Sequence, residues 1–251
     1  MFRIKDIVGL LFYAFTLSAC GGGGDSPSTA PTPASTAEGL WNGTTSSGRT
    51  GDALVLDDGT YWVIYSLVGN SSVIAGAAQG NSASNNGTFS SSDGIDFNLE
   101  GFGINSFSLS GTYTPKSKLS GTITYSSNTS YTFTGTYDTD YDLTPSLATI
   151  AGTYVGTAAT LGGIESATAT ITDTRAMSGR GASGCTYTGN ASARPNGNVY
   201  NISVTFEGGI CSNGTATVTG VAYFNAKTNQ LIAAALNSDR TNGFLGEGIK
   251  Q

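Results

Sequence analysis

Three successive segments near the middle of the chain alternate with a period of two residues. In residues 106–114, 119–125 and 131–137, every second position holds an aliphatic side chain, an aromatic ring or glycine, and turn-forming residues separate the segments. A period of two places alternate side chains on one face of a β-strand, and short strands at such regular spacing are typical of antiparallel sandwiches and up-and-down barrels. The sequence therefore predicts an all-β fold.

The composition extends this prediction to the whole chain. The 251 residues include 36 Gly, 35 Thr and 30 Ser but only six Pro. Thr favours half-buried pleated surfaces and Gly favours turns, so many short strands are expected. We predict strands at residues 41–45, 53–56, 60–67, 73–79, 87–91, 96–100, 106–114, 119–125, 131–137, 152–158, 166–172, 184–193, 199–207, 216–224, 231–237 and 243–248.

Charge and histidine content narrow the functional classes. The formal net charge is −6, and because phosphate binding needs a basic face we predict no nucleic-acid partner. The chain has no histidine, which excludes a Ser-His-Asp or Cys-His catalytic set and a zinc site that needs imidazole. No nucleophile elbow, phosphate-binding loop or dinucleotide-binding motif occurs either. We predict no cofactor and no enzymatic activity.

The N-terminus carries an export signal. Arg3 and Lys5 precede an apolar run over residues 7–17, which is too short for a permanent transmembrane helix but suits a secretory signal. Residues 17–20 (Leu-Ser-Ala-Cys) then resemble a bacterial lipobox. The resemblance implies a lipoprotein signal peptide at 1–19, cleavage before Cys20, and diacylglycerol and acyl groups on Cys20. Several acyl chains on one residue anchor a protein stably to a membrane. The alternative is an ordinary secretory signal with a chance cysteine.

A tether follows the predicted lipidation site. Residues 20–37 are rich in Gly, Ser and Pro, a composition that cannot form a core. Gly21, rather than Asp, follows Cys20, and by resemblance to enterobacterial sorting this favours transfer to the outer membrane. We predict a lipid-anchored outer-membrane protein, with its periplasmic or surface orientation left open.

The remaining chain contains an internal repeat. Residues 39–44 and 152–157 share the pattern G-x-aromatic-x-G-T, and each opens a segment of about a hundred residues, a common domain size. We predict two β domains in tandem at residues 38–143 and 144–251, each a small antiparallel barrel or sandwich. Pro145, in the polar segment between them, favours a short helical turn through Ile150.

Aromatic residues concentrate in the first domain, and four of them are candidates for contact with a ligand or partner. In the strand at 60–67, Tyr61 and Tyr65 share one face with Val63 while Trp62 lies on the other. With Trp41, these residues combine apolar area with hydrogen-bonding groups. Because both faces of this strand are apolar, packing within the core is the ordinary interpretation, and contact with a ligand or partner is the other.

Cys185 and Cys211 are predicted to form a disulfide. Once Cys20 is lipidated the remaining cysteine count is even, and an exported protein meets an oxidising environment. The two residues lie at adjacent predicted strands. A redox pair is the alternative, but the spacing lacks a C-x-x-C motif.

Acidic residues offer one weak metal candidate. Asp138, Asp140 and Asp142 occupy alternate positions as at the start of a calcium loop, but the later ligands of such a loop are missing. We therefore predict a solvated interdomain linker without a metal site, and a calcium ion bound by these three residues is the alternative. The other acidic groupings are Asp57 with Asp58, Asp93 with Asp96, and Glu165 with Asp173, which fit turn residues as well as a catalytic pair.

The sequence resembles two groups of known bacterial proteins. Residues 184–189, 198–204 and 233–240, with Cys211 at the expected place, resemble a module of uncharacterised exported proteobacterial proteins, which implies no known activity. In architecture, the lipobox, the glycine-rich tether and a C-terminal barrel are similar to transferrin-binding and factor H-binding surface lipoproteins. We predict a protein or glycan partner bound through loops and strand faces. The alternative is a carrier that holds a small hydrophobic ligand in a cavity inside one barrel.

Overall fold

A computed structural model describes residues 36–251, which form two closed antiparallel β-barrels. In the first barrel, eight strands follow one another around the wall, and it closes where the first strand pairs with the last. A ninth, short strand extends the hairpin with β6. The strands are β1 (Gly39–Thr45), β2 (Thr50–Val55), β3 (Thr60–Leu67), β4 (Asn70–Asn81), β5 (Ala83–Asn85), β6 (Thr88–Asn98), β7 (Gly103–Thr114), β8 (Lys118–Tyr125) and β9 (Ser130–Asp138).

The second barrel repeats this up-and-down order without the extra strand. A 3₁₀ turn (Thr139–Asp142) and a one-turn helix α1 (Leu147–Ile150) connect it to the first barrel. Its strands are β10 (Gly152–Thr160), β11 (Gly163–Ile171), β12 (Ala176–Gly181), β13 (Thr186–Ala193), β14 (Val199–Phe206), β15 (Thr217–Asn225), β16 (Gln230–Leu236) and β17 (Gly243–Lys250). The predicted all-β fold of two tandem barrels is confirmed, and the sandwich alternative is wrong because both sheets close.

Three differences from the predicted strands have local causes. The segments at 87–91 and 96–100 belong to one strand, β6, which a bulge between Ser91 and Gly94 interrupts without ending it. Strand β12 was not predicted, because Met177 is its only large apolar residue. The three-residue strand β5 was not predicted either, since Asn and Ser there are typical of a turn.

The sequence repeat occupies equivalent positions in the two barrels. The indole of Trp41 donates to the carbonyl of Ala37 at 3.0 Å, and the hydroxyl of Tyr154 donates to the carbonyl of Ile150 at 2.7 Å. Ala37 and Ile150 are both fully buried, each just before the first strand of its barrel. Each of these aromatic side chains thus fixes the chain segment that enters its barrel.

Apolar side chains form three clusters, one inside each barrel and one between the barrels. The cluster between the barrels joins outward-facing residues of β1 to β4 and β6 to outward-facing residues of the second barrel. Its buried members are Leu40, Leu54, Leu56, Trp62, Ala77, Phe97, Tyr141, Ala159, Val199, Val221, Tyr223, Ala234, Leu236 and Leu245. Residues 36–251 accordingly form one compact unit in which both barrels share this interfacial core.

Ion pairs border this shared core. Arg194, in the β13–β14 hairpin, pairs with Asp57 and Asp58 of the first barrel, and its side chain is largely buried. Arg240, in the β16–β17 hairpin, donates to the backbone carbonyls of Gln79 and Asp93 at 2.6 and 2.8 Å. Charged hairpin residues of the second barrel therefore fix its position against the first.

Within residues 36–251, no helix has the length and hydrophobicity that crossing a membrane requires.

Candidate ligand-binding cavity

One end of the first barrel is hollow. A cavity of about 520 Å³ opens between the β1–β2, β3–β4, β6–β7 and β8–β9 loops. A smaller apolar hollow of about 100 Å³ adjoins it deeper in the barrel, and Tyr61, Val63, Leu109 and Ile123 line both. Ala37, a buried member of the first barrel's apolar cluster, lies at the opposite end, because β1 runs from there to Thr45 at the mouth.

Glycines account for part of this space. Gly51, Gly43 and Gly135 are paired in register across β2, β1 and β9, and all three line the smaller hollow. Glycine contributes no side chain to a barrel interior, so no side chain projects into the hollow where these three glycines lie side by side. The interior of the first barrel is therefore only partly filled by its own side chains.

A buried carboxylate lies in the cavity wall. Asp96, on β6, is 4% exposed, and its two oxygens accept hydrogen bonds from the hydroxyls of Tyr65 at 2.7 Å and Tyr125 at 2.9 Å. Burial raises the pKa of Asp96 above its ordinary value, although the two tyrosine hydroxyls and nearby Arg49 act in the opposite direction. Burial beside Asp96 also raises the pKa of both tyrosines, so they remain neutral hydrogen-bond donors.

Arg49 lies at the mouth, where Glu100 neutralises its charge. The guanidinium contacts the Glu100 carboxylate at 2.6 Å, donates to the carbonyl of Ser66 at 2.9 Å, and stacks 5.2 Å from the centre of the Tyr65 ring. Asn98 donates to the Tyr65 hydroxyl at 3.3 Å and completes the polar cluster. Within residues 36–251, no cationic group lies at salt-bridge distance from Asp96.

The second barrel has less open space than the first at the corresponding end. Large buried side chains, including Tyr200, Ile202, Val204 and Phe206, occupy its interior. At the end that corresponds to the mouth of the first barrel, the predicted disulfide between Cys185 and Cys211 is confirmed. It joins the β12–β13 and β14–β15 loops, and a smaller hollow of about 210 Å³ remains beside it. The corresponding β3–β4 and β6–β7 loops of the first barrel contain no cysteine.

The four aromatic residues predicted to contact a ligand or partner have different environments. Trp41 and Tyr61 are 1% exposed inside the first barrel, and Trp62 is buried between the barrels. Neither Trp41 nor Trp62 therefore presents a surface to a protein or glycan partner, but Trp41 lines the smaller hollow inside the barrel. Tyr61 and Tyr65 line the cavity and are placed to contact a ligand there.

The acidic triplet at the end of the first barrel does not converge on a cation. Asp140 pairs with Lys227 at 2.9 Å and Asp142 pairs with Lys116 at 2.7 Å. Asp138 instead accepts from the backbone amide of Asp140 and caps the 3₁₀ turn. The hydrogen bond from Lys116 holds the pKa of Asp142 below its ordinary value. Residues 36–251 contain no group of side chains suited to hold a metal ion, which contradicts the calcium alternative for these three residues.

The carboxylates of the other acidic groupings are also engaged with partners elsewhere. Asp57 and Asp58 pair with Arg194 across the barrel interface, and Asp93 accepts from the amide of Asn81 at 2.8 Å. Asp96 alone of these carboxylates lines the cavity. The predicted lipidation site, Cys20, and the signal peptide at 1–19 lie outside the described residues.

Neither the known protein families nor the curated proteins contain a match to this chain.

Proposed function

We propose that this chain is a lipid-anchored outer-membrane protein whose first barrel binds a small hydrophobic or amphipathic ligand. The hollow in that barrel carries the proposal, because ligand sites are concave, largely apolar and contain a few placed polar groups. The cavity of about 520 Å³ falls in the range typical of such sites. Tyr61, Val63 and Ile123 supply the apolar wall, and Asp96 with Tyr65 supplies polar groups.

The surface of the mouth supports access to this cavity. Phe102 is 74% exposed in the β6–β7 loop and Val68 is 51% exposed in the β3–β4 loop, and both border the opening. Exposed apolar side chains at a rim suit the passage of an apolar molecule from water into the barrel. A protein or glycan partner could also use this rim, but the aromatic residues predicted to contact it are mostly inside the fold.

We propose no catalytic step. Both oxygens of Asp96 accept hydrogen bonds from tyrosine hydroxyls, and Glu100 is engaged with Arg49. A hydrolytic pair would need one carboxylate free to transfer a proton and another free to attack or to activate water. The geometry of the cavity therefore favours holding a molecule over transforming it.

Binding can be tested on residues 34–251, which contain every described strand and all three apolar clusters. We expect N-phenyl-1-naphthylamine, a neutral fluorescent dye, to bind with one site per chain and a blue-shifted emission. Val63→Phe and Ile123→Phe each add volume where the two hollows meet and should weaken dye binding at least tenfold. Val155→Phe, on the exposed outer surface of the second barrel, is the matched control and should bind as the wild type does.

The proposal fails if the wild-type chain does not bind the dye, or if the filling variants fold normally and bind it unchanged. Circular dichroism melting separates a folded variant from a disrupted one. The anchor is tested independently by mass spectrometry of the mature protein from membranes. We expect an N-terminal Cys20 that carries diacylglycerol and acyl mass. An uncleaved signal peptide or an unmodified Cys20 would contradict the proposed membrane anchor.

A further inference from the structure

The charge inside the cavity is unbalanced. Arg49 acts on Asp96 from nearby, but it is paired with Glu100 at the mouth, and no cation of residues 36–251 makes a salt bridge with Asp96. Both oxygens of Asp96 accept from tyrosine hydroxyls, which is the arrangement of an ionised carboxylate. A buried carboxylate without a counter-charge is costly, and bound positive charge would offset that cost.

The surroundings of Asp96 suit a particular kind of cation. The rings of Tyr65, Phe107, Tyr125 and Tyr131 all line the same cavity. The Phe107 and Tyr125 centroids are 5.7 Å apart, and those of Tyr125 and Tyr131 are 6.3 Å apart, so these three rings form a continuous aromatic wall. Aromatic faces beside a carboxylate attract ammonium groups through the ring quadrupole as well as the formal charge.

Asp96 also has acceptor capacity left. An ionised carboxylate offers about four acceptor positions, of which the two tyrosine hydroxyls occupy two. The smaller apolar hollow lies deeper in the barrel than Asp96, which is two residues before the end of β6 at the mouth. A molecule with one charged end and one apolar chain would therefore lie with its charge beside Asp96 and its chain toward Trp41 and Leu119.

We propose that Asp96, Tyr65 and Tyr125 form a head-group subsite for an organic ammonium ion, whose alkyl or aryl chain occupies the inner hollow of the first barrel. The proposal rests on the ligand-binding function proposed above and adds the chemical class of the ligand. An amphipathic amine free in solution and an amine-bearing lipid share this chemistry. An anionic ligand would instead have to displace Glu100 from Arg49.

Competition with the bound dye tests the class of ligand. Decyltrimethylammonium, decyl sulfate and decanol share one chain length and differ in the charge of the head group. Used below their micelle-forming concentrations on residues 34–251, the ammonium should displace N-phenyl-1-naphthylamine at a concentration at least tenfold lower than the sulfate does. Decylamine in place of decyltrimethylammonium, and vesicles that contain an amine-bearing lipid, then distinguish a free amine from a lipid as the source.

Asp96→Asn tests the residue itself, because it keeps the size of the side chain and removes the charge. We expect the advantage of the ammonium over the sulfate to fall below about threefold, while displacement by decanol is unchanged. Asp173→Asn is the matched control, since it removes the same charge from an exposed turn of the second barrel and should leave all three displacement curves unchanged.

A pH titration of the wild-type protein tests the role of Asp96 without a variant, so it can still be used if Asp96→Asn does not fold. Burial raises the pKa of Asp96, and the groups that face it are Tyr65, Tyr125, Arg49 and Glu100. As the pH falls from 7 toward about 4, protonation of Asp96 should weaken the ammonium selectively and spare decanol. Folding at each pH is checked by circular dichroism.

The outcomes separate the two proposals. Displacement by the sulfate at equal or lower concentration than the ammonium overturns the ammonium subsite and leaves a carrier function in place. A preference for the ammonium that persists in a folded Asp96→Asn chain overturns the role of Asp96. A wild-type chain that binds neither the dye nor any decyl compound overturns the proposed carrier function itself.

Discussion

Gly156 lies where the first and last strands of the second barrel pair. It is paired with Gly248 in the register between β10 and β17, and a methyl group on Gly156 would overlap the carbonyl oxygen of Glu247. Gly43 has the same relation to Gly135 and to the carbonyl of Thr134 in the first barrel. Steric fit therefore explains the second glycine of the G-x-aromatic-x-G-T repeat. A side chain there would overlap the neighbouring strand where each barrel closes.

We expect Gly156→Ala to lower the free energy of unfolding by about 1–3 kcal/mol, because the backbone of β17 must move to admit the methyl group. Chemical denaturation monitored by circular dichroism measures this loss. Gly246→Ala is the control in the same strand pair, since the nearest atom to its added methyl group belongs to the movable ring of Phe244 at 3.3 Å. Equal losses for the two variants would contradict the steric explanation.

Some residues could be assigned from the sequence and others could not. The pairing of Cys185 with Cys211 was predictable because it depended on the parity of the cysteines and the exported environment, not on packing. The role of Trp41 was not, because an aromatic ring serves a core as readily as a binding surface. Only the barrel geometry shows that its indole is buried beside Ala37.

Strand β6 shows why Asp96 could not be identified in advance. Its apolar residues Ile95 and Phe97 face outward, where they pack against the second barrel, while Asp96 and Asn98 face the cavity. Alternation in a single sequence identifies two faces of a strand but does not say which one points into the barrel. Without knowledge of the neighbouring barrel, the polar face of β6 is expected to meet solvent.

The disulfide acts at the scale of elements, since it joins the β12–β13 and β14–β15 loops of the second barrel. Its cysteines are 26 residues apart, and the loop-entropy model assigns a loop of that length about 3.5 kcal/mol of stabilisation. We expect the double variant Cys185→Ser, Cys211→Ser to lose about that much in denaturant unfolding. Ligand binding by the first barrel should be unchanged, because its mouth is built from different loops.

Reduction of the wild-type protein provides the comparison for this double variant. If the disulfide stabilises the barrel by linking the loops, the reduced wild type and the serine variant should unfold at similar denaturant concentrations. A variant much less stable than the reduced protein would instead indicate that buried serine hydroxyls at positions 185 and 211 are the cause. A loss of dye binding in the folded variant would contradict the independence of the two barrel mouths.

At the scale of the whole molecule, the two barrels share one apolar interface. Trp62 lies within that cluster, 8% exposed, on the outer face of β3, while the inner face of the same strand carries Tyr61 and Tyr65. The sequence identified β3 as a strand with two apolar faces, and the second barrel is what covers the outer one. The interface explains why residues 36–251 form one compact unit.

This shared interface should make the two barrels unfold together, and Trp62→Ala should make them unfold in separate transitions. Removing a buried tryptophan typically costs about 3–5 kcal/mol, and most of that loss would fall on the contact between the barrels. We expect wild-type residues 34–251 to give one calorimetric transition whose calorimetric and van't Hoff enthalpies agree. Trp62→Ala should give two transitions. Phe102→Ala, which removes a ring that is 74% exposed at the mouth, should keep one. A single transition in Trp62→Ala, merely at lower temperature, would show that Arg194 and Arg240 with their partners couple the barrels without this tryptophan.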